Sequence, residues 1–498
     1  MVVQSGPVSG VIAQGTSINI ALTAQAANFT PVGTLYASAT DSAGILQLPV
    51  KVTGNGGGSY TFELDTLRTL PQGSYAGNVT IKLCSDAACN VPQALPSISA
   101  PYALTVLSSD SAWPGDKITE LTAWSGAPDW STYQGNNAHT GFVPVEVKPN
   151  QMLLRWKRAA LNNSSSGYST ELSPLVTANG LFYASGAKKL TAYKELDGSQ
   201  AWNYDVSAMR WPSVNPPAVD GGVVYMAAGQ QESSQMMAFD AATGALRFRS
   251  TMTSQWENYL SPVVFDGAVY TNGGAYGGMY AFNLSGDQLF RGVLEQTTMW
   301  SPAADARGIY AYTGDSLTMF QPKTGTVLAR ITDNDINNST YRVGGSAVIG
   351  ANGGVYAAPY MNGYTNGGTL GNRLTRFDTI KGIVDWRVHG AYTNTPAYAA
   401  GVLYAPNNNP YRLEARAEAD GALLWSWVPP LSGEFRFYSA PVVTNNLLVV
   451  STNINTYAID LRSRKVVWSY PAPGHFGISK NGVLYIQNPN ALVAVNLK

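Results

Sequence analysis

The sequence predicts an all-β protein of two domains, a small β-sandwich followed by a ring of repeated four-stranded units. Glycine is abundant, at 50 of 498 residues against an average of about 7%. Short stretches in which apolar and polar residues alternate, as in half-buried strands, recur along the chain. From residue 173 onward a similar unit returns about every 44 residues, which is typical of a repeat architecture.

Composition excludes two classes of protein. The 31 basic and 31 acidic side chains cancel, and charged residues make up only 12% of the chain, against about 25% on average. Because neutralising phosphates takes a clustered basic excess, nucleic acid is not an expected partner. The hydrophobic fraction of 45% can fill a large core, but no uncharged apolar run approaches about 18 residues. We therefore expect no transmembrane segment.

The two cysteines, Cys84 and Cys89, lie in a turn-like stretch where a hairpin brings their Cβ atoms into bonding range. We expect a disulfide, although two unrelated buried thiols remain the alternative. A disulfide fits an oxidising compartment. Residues Met1 to Ser5 lack the basic and long apolar regions of a signal peptide, so Met1 is interpreted as an added start on a mature secreted chain. The expected location is periplasmic or extracellular, in a bacterial cell envelope.

Residues 1–108 are predicted to form the first domain. Apolar residues alternate within 17–23, 60–64 and 79–83, and Gly-, Asn- and Pro-rich turn signals separate these runs. About seven short strands in about 100 residues resemble an immunoglobulin-like sandwich. The segment Leu70–Val79 is similar to the turn and penultimate strand of bacterial immunoglobulin-like domains, which puts Tyr75 near their tyrosine-corner position. Residues 109–128 are predicted to be a linker.

The repeat fills the rest of the chain, residues 129–498. Most units have a proline or valine at the first strand, an aromatic anchor in the second, a third strand, a glycine turn and an aromatic residue in the fourth. The second-strand anchors are Tyr183, Tyr225, Tyr270, Tyr310, Tyr356, Tyr404, Val449 and Tyr485. Eight such units predict an eight-bladed β-propeller.

The last unit is incomplete. It offers three strands, at 477–479, 483–487 and 491–496, whereas the other units offer four. The segment Met152–Lys157 precedes the first full unit and carries Trp156 where the outer strand of a blade needs an aromatic residue. We therefore expect strand 152–157 to pair with the C-terminal blade and close the ring, which removes two open sheet edges.

Two motifs identify a family resemblance. Ala238–Phe248 matches the pattern A-x-D-x-x-T-G-x-x-x-W with Phe in place of Trp, and Trp130–Gly141 is similar to an opening signature. Together they resemble the pyrroloquinoline quinone (PQQ)-type propeller family, over about 370 residues. This family includes dehydrogenases and non-catalytic scaffolds, among them the lipoprotein propeller of the outer-membrane β-barrel assembly machine. The immunoglobulin-like module departs from that protein.

The chemistry of the dehydrogenases does not follow from this resemblance. Such enzymes add an adjacent cysteine pair and a calcium ion held by Glu and Asn near a catalytic Asp, and this sequence has no adjacent cysteines and no stretch matching those ligands. The three histidines, His139, His389 and His475, have no metal-ligand spacing. We expect no metal site and no cofactor, and the catalytic residues, if any exist, are unknown. PQQ with calcium is expected only under the alternative function, a PQQ-dependent dehydrogenase or a polysaccharide-active enzyme at the channel mouth.

One face of the propeller is the predicted binding surface. The connections between blades and the loops between second and third strands share this face, and several carry an aromatic residue beside a charged one. The predicted ligand-binding residues are Tyr168, Arg210, Trp211, Trp256, Glu257, Tyr341, Arg342, Tyr392, Glu434 and Arg436. Their rings either pack between blades or line a funnel for a protein, a peptide or a glycan, since Trp, Tyr and Arg dominate binding hot spots. The sequence thus favours a non-catalytic binding or scaffold module over an enzyme.

Overall fold

The fold was analysed in a computed structural model of the chain. It describes residues 1–498 except 4–7, 14–16, 28, 108–119, 160–174, 187, 230, 254–260, 274–277, 295–299, 336–345, 359–372, 393 and 489–490. The described part is almost entirely β-structure, with three short 3₁₀ helices at Tyr133–Gly135, Pro149–Gln151 and Gln231–Ser233. The predicted all-β class is therefore confirmed.

The N-terminal domain is a curved, mostly antiparallel sheet. Its strands are Val2–Val3, Val8–Ala13, Asn19–Gln25, Tyr36–Asp41, Leu46–Gly56, Ser59–Thr66, Gly73–Cys84 and Ile98–Leu107. The long strand Leu46–Gly56 pairs with Ser59–Thr66 on one side and with Tyr36–Asp41 on the other, so it joins the two halves of the sheet. Alternate residues of Ser59–Thr66 are buried, as a period of two requires.

A disulfide and a tyrosine hydrogen bond stabilise two turns of this domain. A disulfide joins Cys84 and Cys89, whose Cα atoms are 5.1 Å apart. The Tyr75 hydroxyl donates a hydrogen bond of 2.8 Å to the carbonyl oxygen of Pro71. Both features fix turns at the ends of the strand Gly73–Cys84.

Eight four-stranded antiparallel blades form the propeller, which confirms the predicted architecture. From the inner to the outer strand, blades 1 to 4 are Val176–Ala178, Leu181–Gly186, Lys189–Lys194 and Gln200–Asp205; Ala218–Asp220, Val223–Ala228, Gln235–Asp240 and Leu246–Thr251; Val263–Phe265, Ala268–Asn272, Met279–Asn283 and Gln288–Gly292; and Ala303–Asp305, Gly308–Tyr312, Ser316–Phe320 and Val327–Thr332. Blades 5 to 7 are Val348–Ile349, Gly354–Ala357, Arg373–Asp378 and Ile383–His389; Ala397–Ala399, Val402–Asn408, Tyr411–Ala417 and Leu423–Trp427; and Val442–Val443, Leu447–Ser451, Thr456–Asp460 and Val466–Tyr470. Blade 8 is His475–Ile478, Val483–Gln487, Ala491–Asn496 and Leu153–Ala159.

The outer strand of blade 8 comes from the start of the propeller sequence. Leu153–Ala159 pairs antiparallel with Ala491–Asn496, and Trp156 lies opposite Ala494. The Trp156 side chain is fully buried and stacks on Phe182 of blade 1, with 5.6 Å between ring centres. The ring is thus closed by an N-terminal strand, in the segment that the sequence analysis assigned to this position.

A repeated tryptophan contact joins neighbouring blades. The indole N–H of an outer-strand tryptophan donates to a backbone carbonyl of the next blade, just before its outer strand, at 2.9 to 3.0 Å. The pairs are Trp156 with Glu195, Trp202 with Ala241, Trp386 with Glu418 and Trp468 with Met152. In blade 2 the turn glycine lies under the ring, because a Cβ on Gly244 would come within 2.6 Å of Trp202. This close approach explains the Gly and Trp of the repeat motif.

The N-terminal domain and blade 7 of the propeller form one continuous sheet. Strand Val8–Ala13 pairs in parallel with Ile98–Leu107 on one side and with the outer strand of blade 7 on the other, where Val11 lies opposite Trp468. The buried side chain of Ile12 and the core of the N-terminal domain belong to the same apolar cluster as Val466 and the partly buried Trp425. Lys465 and Glu63 add an ion pair of 2.5 Å across the boundary. The N-terminal domain therefore covers the outer edge of blade 7.

Candidate functional site

A single segment fills the propeller axis. Residues 130–147, called the plug below, run around the inside of the ring, and inner strands of six blades donate backbone hydrogen bonds to plug carbonyls at 2.7 to 2.9 Å. The pairs are Thr177 with Trp130, Val219 with Ser131, Ala304 with Asn137, Ile349 with Ala138, Tyr398 with Thr140 and Val443 with Gly141. The opening signature of the repeat is thus a structural element that joins the blades at their centre.

Plug side chains occupy the channel itself. His139 is fully buried, and its Nδ1 lies 3.1 Å from the Ala347 carbonyl oxygen. Burial lowers the pKa of His139 to about 4, so the imidazole is neutral at physiological pH. The Tyr133 hydroxyl donates to the Thr395 hydroxyl at 3.0 Å, and the Gln134 amide donates to the Pro441 carbonyl at 3.1 Å. These side chains hold the plug in place and close the axis.

The loop face surrounds the channel mouth and consists of the connections between blades and the loops between second and third strands. Five of the ten predicted ligand-binding residues on it lie in the described part of the chain: Arg210, Trp211, Tyr392, Glu434 and Arg436. The other five lie outside the described residues: Tyr168, Trp256, Glu257, Tyr341 and Arg342. The five described residues fall into two areas, at blades 1 and 2 and at blades 5 to 7.

In the connection between blades 6 and 7, Glu434 is a buried anchor. Its exposed fraction is 8%, and its carboxylate accepts hydrogen bonds from the Thr452 hydroxyl at 2.6 Å, the Tyr457 hydroxyl at 2.9 Å and the Leu431 N–H at 2.9 Å. All three donors lie within blade 7 or this connection. Glu434 is therefore occupied in holding the loop, and a ligand does not reach it.

Asn453 fixes the same loop from the neighbouring second-to-third-strand loop of blade 7. Its side chain accepts from the Phe435 N–H and donates to the Gly433 carbonyl, both at 3.0 Å, and its backbone N–H donates to the Arg436 carbonyl at 3.0 Å. Two side chains nevertheless point to solvent. Phe435 is 66% exposed, and the Arg436 guanidinium lies 5.9 Å from its ring centre. A rigid loop thus displays an exposed aromatic ring and an arginine side by side.

Tyr392, unlike Phe435, does not face the solvent. It is fully buried, and its hydroxyl donates at 2.5 Å to Glu414, which also accepts from Arg412 and Arg416 at 2.6 to 2.7 Å. Burial raises the pKa of Glu414, but the Tyr392 and Arg412 hydrogen bonds and the Arg416 charge outweigh it and hold that pKa below its usual value. This charged, hydrogen-bonded cluster is internal to blade 6. Tyr392 packs within the propeller, as the alternative interpretation of the aromatic residues expects.

The second area lies over blades 1 and 2. Trp211 is 44% exposed. Arg210 forms an ion pair with Glu232 at 3.6 Å, and both side chains are largely solvent-exposed, so the pair contributes little to stability. Arg210 and Trp211 are therefore available to a partner. The structure does not bring them into contact with Phe435 and Arg436.

Sequence reasoning missed the anchoring partners of these loops. Asn453, Thr452 and Tyr457 come from blade 7 strands or a short loop that carries no aromatic-plus-charge pattern. Among the described residues, no group of three or more His, Cys, Asp or Glu side chains could hold a metal ion. In the same part of the chain, no helix is long and apolar enough to cross a membrane.

Comparison with known proteins gives one family and several solved structures. The family described as "Outer membrane protein assembly factor BamB" matches residues 190–426. No curated protein matches the chain. BamB from Moraxella catarrhalis superposes with a TM-score of 0.53 at 14% identity, over 69% of this chain and 99% of that one. The computationally designed Ika8 protein gives 0.50 at 11%, over 68% and 99%, and a europium-containing methanol dehydrogenase gives 0.49 at 13%, over 74% and 98%. The chain is thus similar to this family over residues 190–426, and its propeller shares the fold of the first two structures.

Proposed function

We propose that the protein is a non-catalytic binding module whose loop face engages a protein partner in the bacterial cell envelope. The observation that carries this proposal is the loop 428–441, which buried Glu434 and Asn453 hold rigid while Phe435 and Arg436 stay exposed. Aromatic and arginine side chains dominate binding hot spots, and a loop that is already ordered loses little conformational entropy on binding. The family match supports a protein partner, because that family is described as an assembly factor.

The periplasmic or extracellular location is part of the same proposal. The Cys84–Cys89 disulfide supports it, since disulfides persist in oxidising compartments. The N-terminal domain is assigned to the immunoglobulin-like sandwiches, with support from the Tyr75–Pro71 hydrogen bond, which is the contact of a tyrosine corner. Its docking on blade 7 leaves the loop face of blades 1 and 2 free for a partner.

A quinone-dependent dehydrogenase is the competing function. Against it stands the position of both cysteines in the N-terminal domain, so the propeller sequence lacks the adjacent cysteine pair that the family resemblance implies for such enzymes. Titration with PQQ and calcium, followed by dye reduction with a panel of alcohols, decides between the two functions. Alcohol-dependent reduction would contradict the proposed binding role.

A photo-crosslinking experiment tests the binding face. A benzophenone amino acid replaces Phe435 in one variant and Ile380 in a matched control, since Ile380 is 74% exposed but lies in a turn on the opposite face. After irradiation in a bacterial envelope extract, we expect a discrete protein adduct from position 435 that is absent from position 380. The double variant Phe435→Ala, Arg436→Ala should lose the adducts formed from a benzophenone at position 211. Equal crosslinking from positions 435 and 380 would refute the proposed face.

A further inference from the structure

A cavity of about 170 Å³ lies inside the ring, between the plug and the inner strands of blades 2 and 3. It exists because the backbone of the plug turns away from the inner strand of blade 3 at this point. Between Thr132 and Asn137 the chain turns sharply through Gln134 and Gly135, both with positive φ. Blade 3 is reached instead by two side chains, since the Thr132 hydroxyl donates to Pro262 and the Asn137 amide to Val264, both at 2.7 Å. The space left between them is the cavity.

The cavity wall is polar and carries one charged group. Its lining includes the side chains of Ser131, Thr132, Asn136, Asn137 and Asp220. Thr132 and Asn137 donate to blade 3, and Asn136 donates to Thr140 at 2.7 Å, so these three side chains are already held by the protein. An ionised carboxylate only accepts hydrogen bonds, so Asp220 favours a cation that carries N–H donors.

Asp220 supplies a negative charge that no neighbour neutralises. Within the described chain its carboxylate forms no ion pair and accepts no hydrogen bond. Three other aspartates at or near the same end of the ring each have a cation: Asp129 with Lys480 at 3.0 Å, Asp266 with Lys323 at 2.9 Å and Asp305 with Arg307 at 2.6 Å. Asp220 is exposed at the end of its strand, yet partial desolvation raises its pKa, and a cation bound beside it would reverse this effect.

We propose that this cavity binds a guanidinium or primary ammonium group, from a small free cation or from an arginine or lysine side chain of a partner. Its volume of about 170 Å³ is below the roughly 300 Å³ of pockets that hold drug-sized ligands, so it suits one such group. The site lies away from Phe435 and Arg436 and does not depend on the proposed function of the loop face.

Calorimetric titration of the full chain tests the site. Methylguanidinium should bind, whereas N-methylurea, its neutral analogue of similar shape, should not. Asp220→Asn should weaken methylguanidinium binding about tenfold or more, because hydrogen bonds to a charged group are the stronger ones. Asp220→Glu should retain most of the binding. The matched control Asp266→Asn removes an aspartate that already has a cation and should leave binding unchanged.

Two capped tripeptides, acetyl-Gly-Arg-Gly-amide and the same peptide with citrulline in place of arginine, separate the two sources of the cation. Tighter binding of the arginine peptide than of methylguanidinium assigns the cavity to a partner side chain, and weaker binding assigns it to a small cation. Equal binding of N-methylurea and methylguanidinium would overturn the proposal. So would unchanged affinity in Asp220→Asn, provided that its melting temperature matches that of the parent protein.

Discussion

Glu195 has a charge that depends strongly on its surroundings. It lies at the seam between blades 8 and 1, only 1% exposed, and its carboxylate accepts a hydrogen bond of 2.7 Å from Asn481. Burial raises its pKa to about 7, although the Asn481 and Ser479 hydrogen bonds oppose this rise. Near neutral pH the folded protein thus binds a proton at Glu195 that the unfolded chain releases.

This proton predicts a stability that falls as the pH rises. The contribution of the raised pKa is fully present below pH 4.5 and disappears as the pH rises through about 7. Glu195→Gln removes the titration, so its stability relative to the parent protein should increase between pH 5 and pH 8, by up to roughly 3 kcal/mol. Urea unfolding of both proteins at several pH values measures this difference. A difference that stays constant with pH would contradict the prediction.

At the scale of single residues, the sequence predicts position better than orientation. The aromatic-plus-charge pattern correctly places Tyr392 and Glu434 in connections between blades, but their side chains turn inward to Glu414 and to Thr452. A pattern along the chain does not contain the partners that decide this, because Glu414 and Thr452 are at least 18 positions away. The buried position and raised pKa of Glu195 could not be predicted for the same reason, since its partner Asn481 is 286 positions away.

At the scale of strands and blades, the sequence predicts much more. Four blades repeat the same contact of an outer-strand tryptophan with the next blade, and blades 2 and 3 carry Phe248 and Phe290 in the outer strand, so residue type and spacing are sufficient to identify the repeat. Blade 7 is an exception that shows the physical requirement. Arg464 occupies the glycine position of its turn with a φ of 61°, and its guanidinium lies 5.9 Å from the Trp425 ring. The contact is preserved there by a cation over the ring instead of by a glycine below it.

Trp156 allows this contact to be tested where it closes the ring. Trp156→Ala should lower the free energy of unfolding by about 3 to 5 kcal/mol, a large part of a total of roughly 5 to 15 kcal/mol. The loss has two causes, since the substitution leaves a cavity beside Phe182 and removes the hydrogen bond to Glu195.

The matched control is Trp211→Ala, because Trp211 is 44% exposed on the loop face. It should change stability by less than about 1 kcal/mol. Thermal and urea unfolding compare the two variants. Similar losses in both would show that the seam does not depend on Trp156.

At the scale of the whole molecule, the eight blades and the N-terminal β-domain follow from the sequence, but their attachment does not. A linker over 109–128 suggests separate domains, whereas strand Val8–Ala13 joins the outer strand of blade 7. Pairing between the edges of two sheets uses backbone N–H and C=O groups, which every sequence has. No pattern of side chains therefore predicts it. Residues 120–128 also contact the propeller, since the Trp124 N–H donates to the Lys480 carbonyl at 2.7 Å.

This attachment predicts that the propeller depends on its neighbour. Deleting residues 1–107 should expose the edge of strand Val466–Tyr470 and the apolar surface around Trp425 and Trp427, and so lower the melting temperature and promote aggregation. Light scattering and calorimetry measure both effects. Glu63→Gln is the control, because it removes only the ion pairs of Glu63 with Lys465 and Lys51 and should cost less than about 1 kcal/mol. A deleted protein that stays monomeric with an unchanged melting temperature would contradict the prediction.

The closure of the ring has a consequence for how the chain reaches its native state. Trp156 and its partner Ala494 are separated by about 340 positions, and contacts of such separation slow folding. During synthesis, Leu153–Ala159 emerges long before Ala491–Asn496. A nascent chain therefore contains the strands of blades 1 to 7 while Leu153–Ala159 still lacks its partner strand. Every newly made copy thus passes through an open form that can pair with its neighbours. The last strand to leave the ribosome decides whether that form becomes a closed ring or an aggregate.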